Sequence, residues 1–196
     1  MKIVENFLPP MYHDVIKQVT TGSDFNWKYS PYTYQVSDVG DVRIDENTKD
    51  STQFVHVYFD SNYNIKSEYF EMIRPMLFFI EDRFEKKLPC ILRAKSNLLL
   101  QDPLFVDGNY NVAHVDTFPQ QENSKQFLSL IYYVNDADGD TLFFDQHYGD
   151  NSPLTIAHRQ TPKANTAVLF DSTTFHASTP PVKSNNRVVI NLILSE

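Results

Sequence analysis

Arg187-Val188-Val189-Ile190-Asn191-Leu192-Ile193-Leu194 is the stretch on which the fold turns. Side chains alternate across a strand, so Val188, Ile190, Leu192 and Leu194 share one wholly apolar face. Arg187, Val189 and Asn191 share the other. With the apolar face against helices, Arg187 and Asn191 look into the interior of a sheet-built body. A guanidinium buried there needs an anionic partner, and no carboxylate in this strand supplies one.

Working outward, similar runs rich in β-branched and aromatic residues recur at Gln53–Phe59, Ile91–Gln101, Phe127–Val134, Thr141–Asp145 and Ala167–Phe170. Asp107-Gly108, Asp138-Gly139 and Gly149-Asp150 mark turns between them. Asp145–Pro153 reads as a polar surface loop and a candidate lid. Helix signals lie earlier. Pro9 and Pro10 open a helix in which Met11, Val15, Ile16 and Val19 keep helical spacing and which Gly22 closes. A second helix is predicted over Ser67–Lys87, with Ser67 as N-cap and the apolar stripe Phe70, Ile73, Leu77, Ile80, Phe84. Pro75 predicts a kink there, or two abutting helices. The pattern is mainly β with flanking helices, a sandwich or barrel with the helices packed outside.

The 196 residues suit one domain, 1–196, with helical and strand support over about 1–90 and a β core over about 91–196. A hydrophobic share of 41% is enough to bury a core. The net charge of -8 and the lack of a Lys/Arg cluster argue against a nucleic-acid partner. Cys90 is the single cysteine, which excludes an intrachain disulfide scaffold. The N-terminal residues lack an apolar signal segment, and no run of apolar residues is long enough to span a membrane. A reducing, cytoplasmic setting is the expectation.

His114-Val115-Asp116 puts an imidazole and a carboxylate on one face of a strand, and His176 follows later in Phe175-His176-Ala177. Two histidines and one carboxylate form a facial triad that leaves positions open on Fe(II). A bare His-x-Asp is common on surfaces; the downstream histidine and Arg187, in strands of suitable parity, lift it above that background. Asp145-Gln146-His147 is a reversed pair in a solvated loop. His56 is expected to be a partly buried structural histidine, and His13 and His158 to have ordinary packing roles.

The order His114-x-Asp116, His176, Arg187 resembles the Fe(II)/2-oxoglutarate-dependent oxygenase superfamily, prolyl-4-hydroxylase-like branch. Ile131-Tyr132-Tyr133-Val134-Asn135 resembles its tyrosine-bearing strand, and Asn165–Asp171 the strand before the distal histidine. Gly139–Phe144 resembles the strand between, where a double glycine is more usual. Val4–Pro9 is similar to the family's opening. Two departures stand out: the His176–Arg187 interval is long, and Asn111 stands where many relatives carry tyrosine, with Tyr110 one step earlier. The resemblance implies a double-stranded β-helix, or jelly roll.

It also implies that Fe(II) is held by His114, Asp116 and His176. The far carboxylate of the co-substrate 2-oxoglutarate would be clamped by Arg187 and receive a hydrogen bond from Tyr133, with Asn191 nearby. Ascorbate is a candidate reductant. The implied reaction releases succinate and CO2 and hydroxylates an unactivated C–H bond, in a prolyl or other residue of a protein or peptide. A small-molecule hydroxylase is the alternative, as is a jelly-roll binding module without turnover. Trp27, Tyr29, Tyr32 and Tyr34 form an aromatic segment suited either to a peptide groove or to packing.

Overall fold

A computed structural model describes residues 1–34, 40–87, 90–117 and 127–195. In chain order the elements are β1 (Lys2–Glu5), α1 (Pro10–Thr20), β2 (Lys28–Ser30), β3 (Asp41–Arg43), β4 (Gln53–Phe59), α2 (Phe70–Ile73), α3 (Met76–Phe84), β5 (Cys90–Leu100), β6 (Ala113–Val115), β7 (Phe127–Tyr133), β8 (Thr141–His147), β9 (Ile156–Gln160), β10 (Thr166–Asp171), β11 (Thr174–Ser178) and β12 (Asn186–Ser195). They form two antiparallel sheets, a major one ordered β1-β10-β7-β12-β5-β4-β2 and a minor one ordered β3-β6-β11-β8-β9. This is the jelly roll. The early part of the chain extends both sheets: β1, β4 and β2 lengthen the major one, and β3 adds an edge to the minor one.

The parity of β12 organises the packing. Val188, Ile190, Leu192 and Leu194 join Leu128, Leu130 and Tyr132 of β7 in a core closed by Ile16 of α1, Ile73 of α2, and Ile80 and Phe84 of α3. Burying each such side chain contributes about 2 kcal/mol, so the helices act as a lid on the outer face of the major sheet. The opposite face of β12 looks between the sheets, where Val189 meets Ile131, Tyr133, Phe143, Val168 and Phe170. The minor sheet has its own outer cluster of Ala113, Val115, Leu142, Phe144, Phe175 and Ala177. Among the described residues, no helix is long and apolar enough to cross a membrane.

Two sequence expectations need correction. The helical stretch read over Ser67–Lys87 divides at Arg74-Pro75 into α2 and α3, as Pro75 predicted, but it is shorter at both ends, running from Phe70 to Phe84. Ser67 lies outside both helices, where its Oγ accepts the Tyr69 N–H at 3.1 Å and sits 2.8 Å from His56 Nε2. Glu85 takes a left-handed backbone (φ 54°) that stops α3 before Lys86. The loop read over Asp145–Pro153 starts later, because β8 continues to His147. Asp145 and His147 are exposed while Gln146 is buried, a half-solvated strand rather than a loop.

Candidate metal centre

β6 and β11 pair so that His114 lies directly opposite His176. The two rings are 4.4 Å apart between centroids. Asp116 follows β6 by one residue and falls on the His114 side of the strand. Its backbone is tied to the segment before β11, the N–H donating to Ser172 O at 2.9 Å. Ser172 is fully buried, and its Oγ donates to Phe127 O at 3.0 Å. One ligand atom from each of His114, Asp116 and His176 lies within 4.8 Å of the others, a spacing one ion can bridge.

Protonation suits the donor set to a cation. His114 Nδ1 lies 3.1 Å from Val112 O, and His176 Nδ1 lies 3.1 Å from Thr174 O. A carbonyl accepts only, so Nδ1 carries the proton and each Nε2 keeps its lone pair for a metal. Burial, helped by the neighbouring His176, pushes the His114 pKa down to about 3 and keeps that ring neutral. For Asp116, burial alone would raise the pKa. His176, Arg93 and His114 outweigh it and hold the carboxyl below its usual range. Asp116 Oδ2 lies 3.7 Å from His176 Nε2 and accepts from Ser129 Oγ at 2.5 Å, while Oδ1 accepts from Arg93 Nη2 at 3.0 Å. Nitrogen and carboxylate donors without thiolate suit Fe(II).

The triad opens on a pocket whose walls include Arg187 and Asn191. Arg187 is only 3% exposed. Its Nε donates to Gly139 O at 2.8 Å and its Nη2 to Thr141 Oγ1 at 2.7 Å. It makes no ion pair among the described residues, and burial lowers its pKa. An un-neutralised guanidinium in the pocket wall is a fit for a carboxylate such as that of 2-oxoglutarate. Asn191 Oδ1 is buried without a hydrogen-bond partner, a further open acceptor in the same wall.

Tyr133 sits differently from Arg187. It is fully buried, and its hydroxyl donates to Thr141 Oγ1 at 2.8 Å. Thr141, which sequence reasoning passed over, therefore stands between Tyr133 and the pocket. It accepts from both Tyr133 and Arg187, which leaves its own proton to donate inward. The parity of β8 carries a signal for it, since Thr141 and Phe143 face the same side. Arg93, Lys95 and Asn97 were also passed over. All point inward from β5, and Lys95 and Asn97 line the pocket; polar residues alternating along a strand look like a solvent face until the pairing Asn191↔Lys95 is known.

The remaining histidines stay apart from the triad. His56 is hydrogen-bonded to Asn26 O and Ser67 Oγ, and His13 Nδ1 to the Tyr132 hydroxyl. That bond places Tyr132 in the helix-side core, opposite Tyr133. His147 is exposed, and His158 of β9 lies beside Phe143 of β8 with its ring tilted at 39° to it. Of the early aromatics, Trp27 packs against the core, Tyr29 and Tyr32 are exposed, and the Tyr32 and Tyr34 rings touch. Thr33, between those two, lines the pocket.

A family model described as the 2OG-Fe(II) oxygenase superfamily matches residues 104–195. No curated protein matches the chain by sequence. Solved structures share its fold. An oxidoreductase of the 2OG-Fe(II) oxygenase family from Burkholderia pseudomallei aligns over 98% of this chain and 84% of its own, with TM-score 0.61 and 14% identity. A Pseudomonas putida prolyl-4-hydroxylase aligns over 100% and 91%, with TM-score 0.53 and 13% identity. The non-heme alpha ketoglutarate dependent carbocyclase SnoK from nogalamycin biosynthesis aligns over 99% and 78%, with TM-score 0.63 and 8% identity.

Proposed function

We propose, from the match of residues 104–195 to the 2OG-Fe(II) oxygenase superfamily, that His114, Asp116 and His176 hold Fe(II) while Arg187 binds the far carboxylate of 2-oxoglutarate. The reaction is hydroxylation of an unactivated C–H bond, with succinate and CO2 released. The observation that carries this is the convergence, in one pocket, of three ligand side chains and a buried arginine that lacks an ion pair among the described residues.

When bound, iron supplies the redox chemistry that couples decarboxylation of the 2-oxo acid and dioxygen cleavage to C–H oxidation. The protein's part is positional. Val112 and Thr174 carbonyls fix both imidazoles with Nε2 turned to the metal. Arg187 and the Thr141 hydroxyl orient the far carboxylate at a set distance from the triad. Ile131, Val189, Phe143 and Phe170 keep that end of the interior dry, which strengthens every charge interaction in it. Asn191 borders the same space.

For the primary substrate, we place a residue of a protein or peptide first, a prolyl residue among the candidates. Support comes from the exposed Tyr29 and Tyr32 beside pocket-lining Thr33 and Gln53, a mouth flanked by aromatic surface. A small-molecule hydroxylase is the second reading, favoured by the polar wall of Lys95, Asn97 and Gln53. Protein incubated with Fe(II), 2-oxoglutarate, oxygen and ascorbate should form succinate slowly on its own and faster with a matched substrate, which gains one oxygen in mass. Asp116→Ala should abolish both. Folded, iron-loaded protein that makes no succinate above a protein-free blank, across peptide and metabolite panels, would favour a binding module instead.

A further inference from the structure

Asp116 is the one anionic group in the triad, and the protein engages both of its oxygens. Oδ2, the oxygen nearest His176 Nε2, accepts from Ser129 Oγ. Oδ1 accepts from Arg93 Nη2 at 3.0 Å. Arg93 projects from β5, opposite Ile193 of β12, and so reaches Asp116 from the major sheet while both histidines come from the minor one. Neither side chain of this pair is more than 7% exposed, so solvent screens the contact little.

A carboxylate can ligate through one oxygen or through both. With one, a two-histidine, one-carboxylate site leaves half of an octahedron free, enough for a two-point 2-oxo acid and dioxygen. With both, one of those positions is lost. An N–H from a guanidinium takes up a lone pair of Oδ1, and its charge keeps a second cation from approaching that oxygen. We propose that Arg93 is a positioning residue that confines Asp116 to ligation through Oδ2, and thereby keeps open a coordination position for 2-oxoglutarate. This rests on the triad being the iron site. Ser129 provides an internal contrast, because it orients Oδ2 and leaves Oδ1 untouched.

The role predicts a split that general structural support would not produce. Removing Arg93 costs Asp116 an orienting bond, but it frees a second oxygen for chelation and removes a cation beside the metal. Metal affinity should therefore hold while 2-oxoglutarate affinity falls. The test is calorimetry on the full chain, titrating Mn(II) and then 2-oxoglutarate into parent, Arg93→Met and Arg93→Lys. Arg93→Met should bind Mn(II) comparably to the parent and 2-oxoglutarate about tenfold or more weakly, a tenfold change being about 1.4 kcal/mol. The visible absorption of its anaerobic Fe(II)–2-oxoglutarate complex should weaken in step. Arg93→Lys, which keeps a charged donor for Oδ1, should recover most of the affinity. If Arg93→Met does not fold, neutral Arg93→Gln takes its place with the same expected split. Unchanged 2-oxoglutarate affinity, or loss of both affinities to one degree, overturns the proposal. Mn(II) binding by the parent that survives His176→Ala would overturn the triad assignment itself, and the Arg93 role with it.

Discussion

At the residue scale, Arg187 and Thr141 act as one unit. The guanidinium is buried, and it donates to two neutral oxygens, Gly139 O and Thr141 Oγ1. Its charge is left for a ligand. Arg187→Ala should weaken 2-oxoglutarate binding to Mn(II)-loaded protein by about 100-fold, on the scale of losing a bidentate charged contact worth on the order of 3 kcal/mol. Mn(II) affinity should change little, because Arg187 is not a ligand. Thr141→Val should be milder, about tenfold, since it removes one neutral donor and leaves the Tyr133 hydroxyl without its acceptor. Calorimetry decides both, and equal 2-oxoglutarate affinity in Arg187→Ala and parent would remove Arg187 from the site.

At the element scale, the turn before β8 is as demanding as the strands. A Cβ on Gly139 would lie 2.5 Å from Thr179 O and 2.7 Å from Pro181 N. Both are backbone atoms and cannot swing aside. Gly139 therefore lets the 138–141 turn press against the connection that leads from β11 to β12, and its carbonyl receives Arg187 Nε. Gly139→Ala should cost about 1–3 kcal/mol in denaturant unfolding and weaken 2-oxoglutarate binding more than Mn(II) binding. Ile190→Ala, on the opposite face of the next strand, should cost about 2–5 kcal/mol and leave the ratio of those two affinities unchanged. The parity of β12 was legible from sequence alone, because apolar and polar residues alternate there without a break. The extension of β8 past Asp145 through Gln146-His147 was not, because one face of that strand is solvated and its residues match those of a loop. The split of the helix was half legible: Pro75 announced it, but the left-handed turn at Glu85 carries no sequence mark, since only glycine or asparagine would advertise such a position.

At the scale of the whole molecule, what the sequence concealed are the contacts that join distant segments. His114, Asp116, His176 and Arg187 could be grouped by type, order and strand parity. Arg93, Thr141 and Ser172 could not, because each matters through a partner from another element that only sheet pairing brings near. The same assembly makes the folded state sensitive to acid. Burial lowers the pKa of His13 and His56, and takes His114 from an ordinary 6.5 to about 3. A group whose pKa falls on folding contributes stability that is complete above its unfolded value and drains away as pH drops toward its folded value. For metal-free protein the window therefore opens near pH 6.5 and runs down toward 3, where the lowered Asp116 carboxyl continues the trend in the same direction. Between pH 6.5 and 5, His114 alone should cost about 2 kcal/mol. A saturating divalent ion takes the lone pair that the proton would need, so it should displace the loss to lower pH and raise the melting temperature throughout. Melting curves of metal-free and Mn(II)-loaded protein from pH 7.5 to 5 decide this. Metal-free protein should lose melting temperature steadily below pH 6.5, the loaded form should hold, and His114→Gln should flatten the metal-free profile. A metal-free profile that is level down to pH 5 would mean that His114 takes up its proton in place, and that the neutral donor set on which the metal centre depends is not built into the fold.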